Sequence, residues 1–250
     1  MYQFFVESSQ IQGKQIVITG KDVNHIRNVL RMQPGEEISV SNGEDGKEYR
    51  CGIEKLTESQ IICSLRFIKE EGTELPARVY LFQGLPKGDK MELIIQKAVE
   101  LGVHEIIPVA TKRSVVRLEG KKETQKILRW QGISEAAAKQ SKRAIIPKVQ
   151  RPFSFQEAVA HSQTMEVKLI PYELAEGMET TRKIFSSLKS GERIALFIGP
   201  EGGFEDQEIA LAQAAGIVPI TLGKRILRTE TAGFTVLAWI MYQLEGENIE

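Results

Sequence analysis

Hydrophobic and polar residues alternate over short stretches in the first 70 positions, which predicts strands rather than long helices. Glycine, proline and an Asn-Gly pair separate these stretches, as in a chain of hairpins. One segment, Lys21–Leu30, instead places Val23, Ile26, Val29 and Leu30 on a single helical stripe. The segment therefore predicts a small β-barrel with one helix. The predicted strands are Gln15–Thr19, Glu37–Val40, Glu48–Glu54 and Gln60–Arg66.

From Ala77 onward, strand and helix patterns alternate, which predicts a largely parallel sheet covered by helices on both faces. The charged segment Lys69–Glu74 is interpreted as a linker, so two domains are expected, 1–72 and 73–250. Ligands bind such sheets at the carboxyl ends of the strands, so the loops after Pro171, Ile198 and Thr221 are the expected site. The predicted strands are Val79–Gln83, Glu105–Val109, Val167–Pro171, Arg193–Ile198 and Val218–Thr221.

Helix ends carry recognisable signals. Asp89 with Glu92 three residues later predicts a capping box, and Gly102 is expected to end that helix. A long helix is predicted over roughly 121–141, and a final helix over Glu230–Leu244.

The formal net charge of the 250 residues is zero, so composition gives no global reason to expect nucleic acid binding. Residues 108–151, however, carry 12 basic and 3 acidic residues. This stretch is either a solvated helix face or a surface that binds phosphates.

Several protein classes are disfavoured. No apolar run approaches the roughly 18 residues of a membrane span, and the N-terminus lacks a signal-peptide pattern, so a cytoplasmic protein is expected. Three well-separated histidines provide little material for a metal site, and none is expected. Cys51 and Cys63 could form a disulfide, but a reduced, buried pair is favoured.

The segment Ile198–Phe204 contains three glycines, a proline and Glu201 between a buried strand and an acidic helix start. A tight turn alone would need one or two of these glycines. Glu201 would repel a phosphate, which favours a neutral or cationic small ligand. A second segment, Leu222–Ala232, is rich in arginine, and Thr229 is its candidate helix N-cap.

Together, Gly199-Pro200-Glu201-Gly202-Gly203 and Leu222-Gly223-x-Arg225-Ile226-Leu227-Arg228-Thr229-Glu230-Thr231-Ala232 resemble the SPOUT superfamily of RNA methyltransferases. The match is closer to the RsmE family, which methylates N3 of a uridine in 16S ribosomal RNA. Further matching segments include Asn24-His25-Ile26, Lys87-Gly88-Asp89-Lys90-Met91-Glu92 and Gln140-Ser141-x-Arg143.

This resemblance implies a SPOUT-type parallel sheet with a C-terminal trefoil knot, preceded by a PUA-like β-barrel that helps to hold RNA. It also implies a homodimer that binds S-adenosylmethionine and acts on 16S ribosomal RNA or the small ribosomal subunit. The residues expected to bind the cofactor are Tyr172, Ile198, Gly199, Gly202, Gly203, Leu222, Gly223, Ile226 and Leu227.

Uridine N3 becomes nucleophilic when it loses its proton, which spreads negative charge onto O2 and O4. Arg228 is therefore the first candidate to stabilise this charge, and Glu201 or Glu230 could act as the base. A structural salt bridge for Arg228 and helix capping for Glu230 are the competing interpretations. The residues expected to bind RNA are His25, Arg31, Arg113, Arg117, Lys122, Lys126, Arg129, Lys139 and Arg143.

Two other functions stay open at this stage. One keeps the SPOUT fold but methylates the ribose 2′-hydroxyl of ribosomal or transfer RNA. The other is a non-catalytic RNA-binding assembly factor.

Overall fold

The computed structural model describes residues 1–70, 72–175 and 177–245, so Glu71 of the predicted linker lies outside the described residues. The chain divides into two compact units. The N-terminal unit comprises Met1–Glu74 with Ala138–Ile146, and the C-terminal unit comprises Leu75–Ala137 with Pro147–Glu250. The first unit thus includes eleven residues that the sequence assigns to the second domain, namely 73–74 and 138–146.

The N-terminal unit is built on a mixed six-stranded half-barrel, in the order β1-β4-β5-β6-β3-β2. The predicted small β domain with one helical segment is confirmed. Its first strand was missed, because only three residues pair, in parallel with β4. The elements are β1 Gln3–Phe5, β2 Ile11–Gln12, β3 Gln15–Thr19, α1 Lys21–Asn24, a π-helix His25–Val29, β4 Glu37–Ser41, β5 Glu48–Leu56 and β6 Gln60–Lys69.

The π-helix corrects part of the predicted helical stripe. Val23 and Ile26 are buried as predicted, but Val29 is 61% exposed. The amide of Leu30 donates to the carbonyl of His25, five residues back, and this wider turn moves Val29 off the buried side. Arg31 follows with a φ of 54°, which is unusual for a residue with a side chain.

Alternate residues of the strands fill the core of the N-terminal unit. Ile16, Ile38 and Ile61 are fully buried there. Cys51 and Cys63 lie in the same core as free thiols. The hydrogen bond with Cys63, together with burial, raises the pKa of the Cys51 thiol, as expected for an unreactive buried cysteine.

The C-terminal unit is a seven-stranded, fully parallel sheet in the order β10-β8-β7-β12-β11-β13, with β9 paired to β8. The predicted parallel α/β architecture is confirmed. The elements are β7 Arg78–Gly84, α2 Lys90–Glu100, β8 Glu105–Ala110, α3 Gly120–Gln140, β9 Lys148–Val149, β10 Phe153–Ser154, α4 Phe155–Ser162, β11 Val167–Pro171, α5 Met178–Ser186, β12 Arg193–Ile198, α6 Asp206–Ala214, β13 Val218–Ile220 and α7 Thr229–Glu245.

Apolar residues on both faces of this sheet explain its burial. On one face, the rings of Phe82 and Phe197 stack with centroids 4.4 Å apart, and α4 and α6 cover them. Helices α2 and α7 pack against each other and bury Ile95, Val236 and Ile240. Because β12 lies between β7 and β11, the loops that follow these three strands meet at one edge.

Of the two predicted features at the ends of α2, one is corrected. Asp89 is the N-cap of α2, but its side chain accepts no capping hydrogen bond. The amide of Glu92 donates instead to the backbone carbonyl of Asp89, while the Glu92 carboxylate binds Arg129 at 2.8 Å. The predicted capping box is therefore absent, since its carboxylate is used elsewhere. Gly102 does end α2, with a φ of 87°.

Candidate functional site

A cavity of about 520 Å³ opens at the carboxyl edge of the parallel sheet, where the sequence predicts the site. The loops after β11, β12 and β13 form its wall, together with Lys90 and Arg113. All nine residues predicted to bind the cofactor line this cavity, and so do Glu201 and Arg228. The third catalytic candidate, Glu230, lies outside the lining.

The loop after β12 is held in a tight conformation that depends on glycine. A Cβ atom at Gly199 would lie 3.2 Å from the backbone of Gly203, so a side chain there would push the loop open. Gly203 has a φ of 68°, and its amide donates to Pro200 O at 2.9 Å. The arrangement leaves backbone groups of this loop facing the cavity without side chains to cover them.

The loop after β13 contributes apolar side chains and a cation. Ile226 is 88% exposed at the cavity wall, so its side chain is accessible to a bound ligand. Gly223 has a φ of 104°, which glycine adopts without strain. The guanidinium of Arg228 makes no ion pair or hydrogen bond with any described residue, so the structural salt bridge considered for it is not formed.

Thr229 is not the N-cap that the sequence predicts. Helix α7 begins at Thr229 itself, and the Thr229 hydroxyl donates to the carbonyl of Gly199 at 2.6 Å. The hydroxyl accepts from the Gln83 side chain at 2.9 Å and from no described amide of the helix, so it does not act as a cap. Thr229 thus ties the start of α7 to the loop after β12.

Lys90 is a site residue that the sequence did not single out. Its ammonium nitrogen lies 3.1 Å from Glu201 Oε1 and 3.4 Å from Glu230 Oε2. The backbone amide of Lys87 also donates to Glu201, at 3.2 Å. Lys90 is the first residue of α2, directly after the loop that follows β7. This loop lies at the ligand-binding edge of the sheet, and that position is the signal that could have identified Lys90.

The contacts between Lys90 and Glu201 favour the charged form of both side chains. Burial by itself acts to raise the pKa of Glu201, but backbone hydrogen bonds and Lys90 outweigh it, so the pKa is lowered. The hydrogen bond from Lys90 to Glu201 raises the pKa of Lys90 in return. Glu201 is therefore ionised and Lys90 protonated at neutral pH.

These residues fit S-adenosylmethionine, the cofactor that the resemblance implies. Glycines bring bare backbone to the cavity wall, and Leu222, Ile226 and Leu227 provide apolar surface for an adenine ring. Glu201 adds a carboxylate to the wall, where Lys90 pairs with it. Among the described residues, no group of His, Cys, Asp or Glu could hold a metal ion.

The residues predicted to bind RNA fall in both units. His25, Arg31, Lys139 and Arg143 belong to the N-terminal unit, and the other five to the C-terminal unit. Within the C-terminal unit, Arg117 and Lys122 are exposed and have no partner among the described residues. By contrast, Arg129 and Lys126 pair with Glu92, and Arg113 donates to Gly202 O at 2.8 Å.

Arg143 is the member of this set that the structure corrects. It is only 3% exposed, and its guanidinium pairs with the carboxylate of Glu74. The same carboxylate accepts the amides of Ala144 and Ile145 at 3.0 and 3.2 Å. Arg143 is therefore a structural residue of the N-terminal unit, because a buried and fully paired guanidinium is not available to a phosphate.

Family models match both parts of the chain. A model described as an RNA methyltransferase domain matches residues 73–241, and one described as an RNA methyltransferase PUA domain matches residues 18–66. These matches confirm the predicted PUA-like domain followed by an RNA methyltransferase domain. The trefoil knot stays a prediction. In the described part of the chain, no helix has both the length and the apolar character to cross a membrane.

Curated and solved relatives resemble the chain over nearly its whole length. The ribosomal RNA small subunit methyltransferase E of Bacillus subtilis is 38% identical to this chain, and the match covers 98% of each protein. The same-named protein of Synechocystis is 35% identical, covering 98% of this chain and 78% of that protein. The crystal structure of the Neisseria gonorrhoeae enzyme, bound to S-adenosyl methionine, is 31% identical with a TM-score of 0.80, covering 95% of each chain.

Proposed function

Because this chain belongs to the RsmE family of RNA methyltransferases, we propose that it methylates N3 of a uridine in small-subunit ribosomal RNA. The proposed methyl donor is S-adenosylmethionine, which relatives of the same size bind. The cavity at the carboxyl edge of the sheet is the proposed active site. S-adenosylmethionine, when bound, supplies a methyl group on a positively charged sulfur. A nucleophile in line with the sulfur–methyl bond takes the methyl group, and the sulfur leaves as a neutral thioether.

The observation that carries this proposal is the free guanidinium of Arg228 in the wall of the cavity. Loss of the N3 proton leaves a negative charge on the uracil oxygens, and a cation beside them lowers the energy of the reacting state. A cation that is already neutralised by a carboxylate would stabilise this charge less. Arg228 is therefore assigned to O2 or O4 of the target base.

Glu201 and Glu230 receive different roles. Of the two, only Glu201 lines the cavity, so Glu201 is placed where a carboxylate can accept the N3 proton or hold it in a hydrogen bond. Glu230 contacts the ammonium of Lys90 from the first turn of α7. We assign Glu230 to the positioning of Lys90, and Lys90 to the positioning of Glu201.

The proposed function also includes contacts with RNA, a place in the cell and an oligomeric state. Exposed cations of the basic stretch, such as Arg117 and Lys122, would contact ribosomal RNA phosphates, and His25 and Arg31 would do so from the N-terminal unit. The enzyme would act in the cytoplasm as a homodimer, with domains 1–72 and 73–250 and a trefoil knot in the second. Sedimentation of the purified protein tests the dimer.

Identification of the methylated nucleoside tests the function. Small ribosomal subunits from cells that lack the gene would be incubated with the enzyme and isotopically labelled S-adenosylmethionine, then digested to nucleosides. Fragmentation in the mass spectrometer separates base from ribose, so a label on the uracil fragment supports N3 methylation. A label on the ribose would show the 2′-hydroxyl reaction instead, and no label on any nucleoside would overturn the proposal.

A further inference from the structure

Gln83 at the end of β7 is a polar residue in an apolar environment. Its side chain is fully buried. Its Nε2 atom donates to the carbonyl of Gly84 at 3.0 Å and to the hydroxyl of Thr229 at 2.9 Å, but its Oε1 atom has no partner. A buried acceptor without a partner destabilises the folded state. A glutamine in this place is therefore unfavourable for stability alone, and its two N–H donors must serve another purpose.

The hydrogen bonds form a chain from β7 to the cavity. Gln83 donates to the Thr229 hydroxyl, and the Thr229 hydroxyl donates its only proton to the carbonyl of Gly199. Because Gln83 occupies an acceptor position of the hydroxyl, the hydroxyl proton is directed at Gly199. Thr229 and Gly199 both line the cavity, whereas Gln83 does not.

We propose that Gln83 is a positioning residue for the cofactor, since it acts through Thr229 to hold the Gly199 loop in its binding conformation. The chain links the end of β7 to the loop after β12 and to the first turn of α7, and the last two of these line the cavity. The bonds from Lys87 and Lys90 to Glu201 hold a later part of the loop after β12, whereas the Gln83–Thr229 chain holds its first residue, Gly199. This inference rests on the proposed use of S-adenosylmethionine.

The local packing explains why a small disturbance would reach the loop. A Cβ atom at Gly84 would lie 2.6 Å from the ring of Pro200, so the end of β7 and the loop after β12 are already in close contact. Gly233 in α7 leaves room beside the Gln83 side chain, with a Cβ position 3.9 Å from Oε1. The amide of Gln83 therefore sits where β7, the loop and α7 converge.

Calorimetric titration of the full-length protein with S-adenosylmethionine tests the inference. Gln83→Met keeps the volume of the side chain, removes both donors and also removes the unpaired acceptor. Thr229→Val removes the hydroxyl, and Thr229→Ser retains it. Gln83→Met and Thr229→Val are expected to weaken binding about tenfold, whereas Thr229→Ser should bind more tightly than Thr229→Val.

A matched control separates positioning from general loss of stability. Ser134 is also fully buried and donates to Pro147 O at 2.6 Å, away from the cavity lining. Ser134→Ala should lower the unfolding midpoint and leave cofactor affinity unchanged. Gln83→Met should lower cofactor affinity and leave the unfolding midpoint unlowered. Unchanged affinity in both Gln83→Met and Thr229→Val would overturn the inference.

Hydrogen exchange gives a readout that does not depend on the ligand. The backbone amides of residue 199 and of 201–204 should exchange faster in Gln83→Met than in the unaltered protein. In Ser134→Ala, the exchange rates of the same amides should equal those of the unaltered protein. If the unaltered protein fails to bind S-adenosylmethionine, the proposed function fails. The positioning role then stands or falls on the exchange rates alone, with unchanged rates overturning it.

Discussion

The ammonium nitrogen of Lys90 lies 3.1 Å from Oε1 of Glu201, and the same nitrogen lies 3.4 Å from Glu230. One lysine from the start of α2 thus serves two carboxylates, one from the loop after β12 and one from α7. Two carboxylates close together would repel each other, and the shared cation offsets this repulsion. The conformation of the cavity wall therefore depends on a residue outside the two distinctive loops.

Lys90→Met should shift the pH dependence of methyl transfer. Lys90 helps to lower the pKa of Glu201, so its removal raises that pKa and decreases the ionised fraction of Glu201 in acid. If ionised Glu201 is required, kcat/KM should begin to fall at a higher pH than in the unaltered enzyme as the solution is acidified. A profile of kcat/KM against pH for both proteins measures this shift.

Lys97→Met is the matched control for Lys90→Met. Lys97 lies on the same helix and binds Glu100 at 2.8 Å, outside the cavity lining. The control should keep the pH profile of the unaltered enzyme. An unshifted profile in Lys90→Met as well would remove Lys90 from the mechanism.

Arg228→Ala should abolish most of the catalysis without affecting the fold. A single donor to a developing negative charge contributes about 100- to 1000-fold to kcat, so kcat should fall by about that factor. The unfolding midpoint should hold, because Arg228 has no partner among the described residues to lose. Arg182→Ala removes an exposed arginine of α5 that has no partner among the described residues, and it should keep full activity. Turnover within a few-fold of normal in Arg228→Ala would exclude the assigned role.

Five of the seven strands of the C-terminal unit could be predicted closely because each is a short apolar run between polar loops, whereas β9 and β10, of two residues each, were missed. The predicted bounds Val167–Pro171 and Arg193–Ile198 are those of β11 and β12. These runs, together with the glycines of the loop, also located the edge at which the cavity opens. Local pattern was sufficient here because both faces of the sheet are buried.

Partners distant in sequence could not be predicted from the same information. Lys90 and Glu201 are separated by more than 100 positions, and no periodicity connects them. Arg143 stands in a strongly basic stretch, so its charge indicated an RNA contact, while its actual partner, Glu74, lies in a segment interpreted as a linker. The exposure of Val29 depends on a π-turn, for which the sequence offers no comparable signal.

Charge reversal at Arg117 and Lys122 should weaken binding of ribosomal RNA. Both are exposed and unpaired among the described residues, so each is free to neutralise a phosphate. For each phosphate that is no longer neutralised, the slope of log affinity against log salt should fall by about 0.7, as for single strands. Binding of 16S ribosomal RNA to Arg117→Glu and Lys122→Glu at several salt concentrations measures the slope. Slopes identical to that of the unaltered protein would show that this basic stretch is a solvated helix face that does not bind phosphates.

Arg143→Ala should act on stability rather than on RNA. It leaves the Glu74 carboxylate partly buried without its cation, which destabilises a protein by about 3–5 kcal/mol. Lys142 is exposed, so Lys142→Ala is the neighbouring control and should change stability little. Denaturant unfolding of both variants provides the comparison, and equal midpoints would show that the buried pair contributes nothing.

Gly84→Ala and Gly132→Ala should have opposite effects on stability. A Cβ atom at Gly84 would lie 2.6 Å from Pro200 N and Cδ, and neither atom can yield without moving the loop after β12. Overpacking of this kind typically costs about 1–3 kcal/mol, and affinity for S-adenosylmethionine should fall with it.

Gly132 lies exposed within α3 with no atom within 4 Å of the new Cβ, so alanine there should stabilise the protein by about 0.5–1 kcal/mol. Denaturant unfolding and a cofactor titration of both variants measure the two effects. Unaltered cofactor affinity in Gly84→Ala would mean that the loop after β12 adapts freely. In that case its close contact with β7 would not define the shape of the cavity.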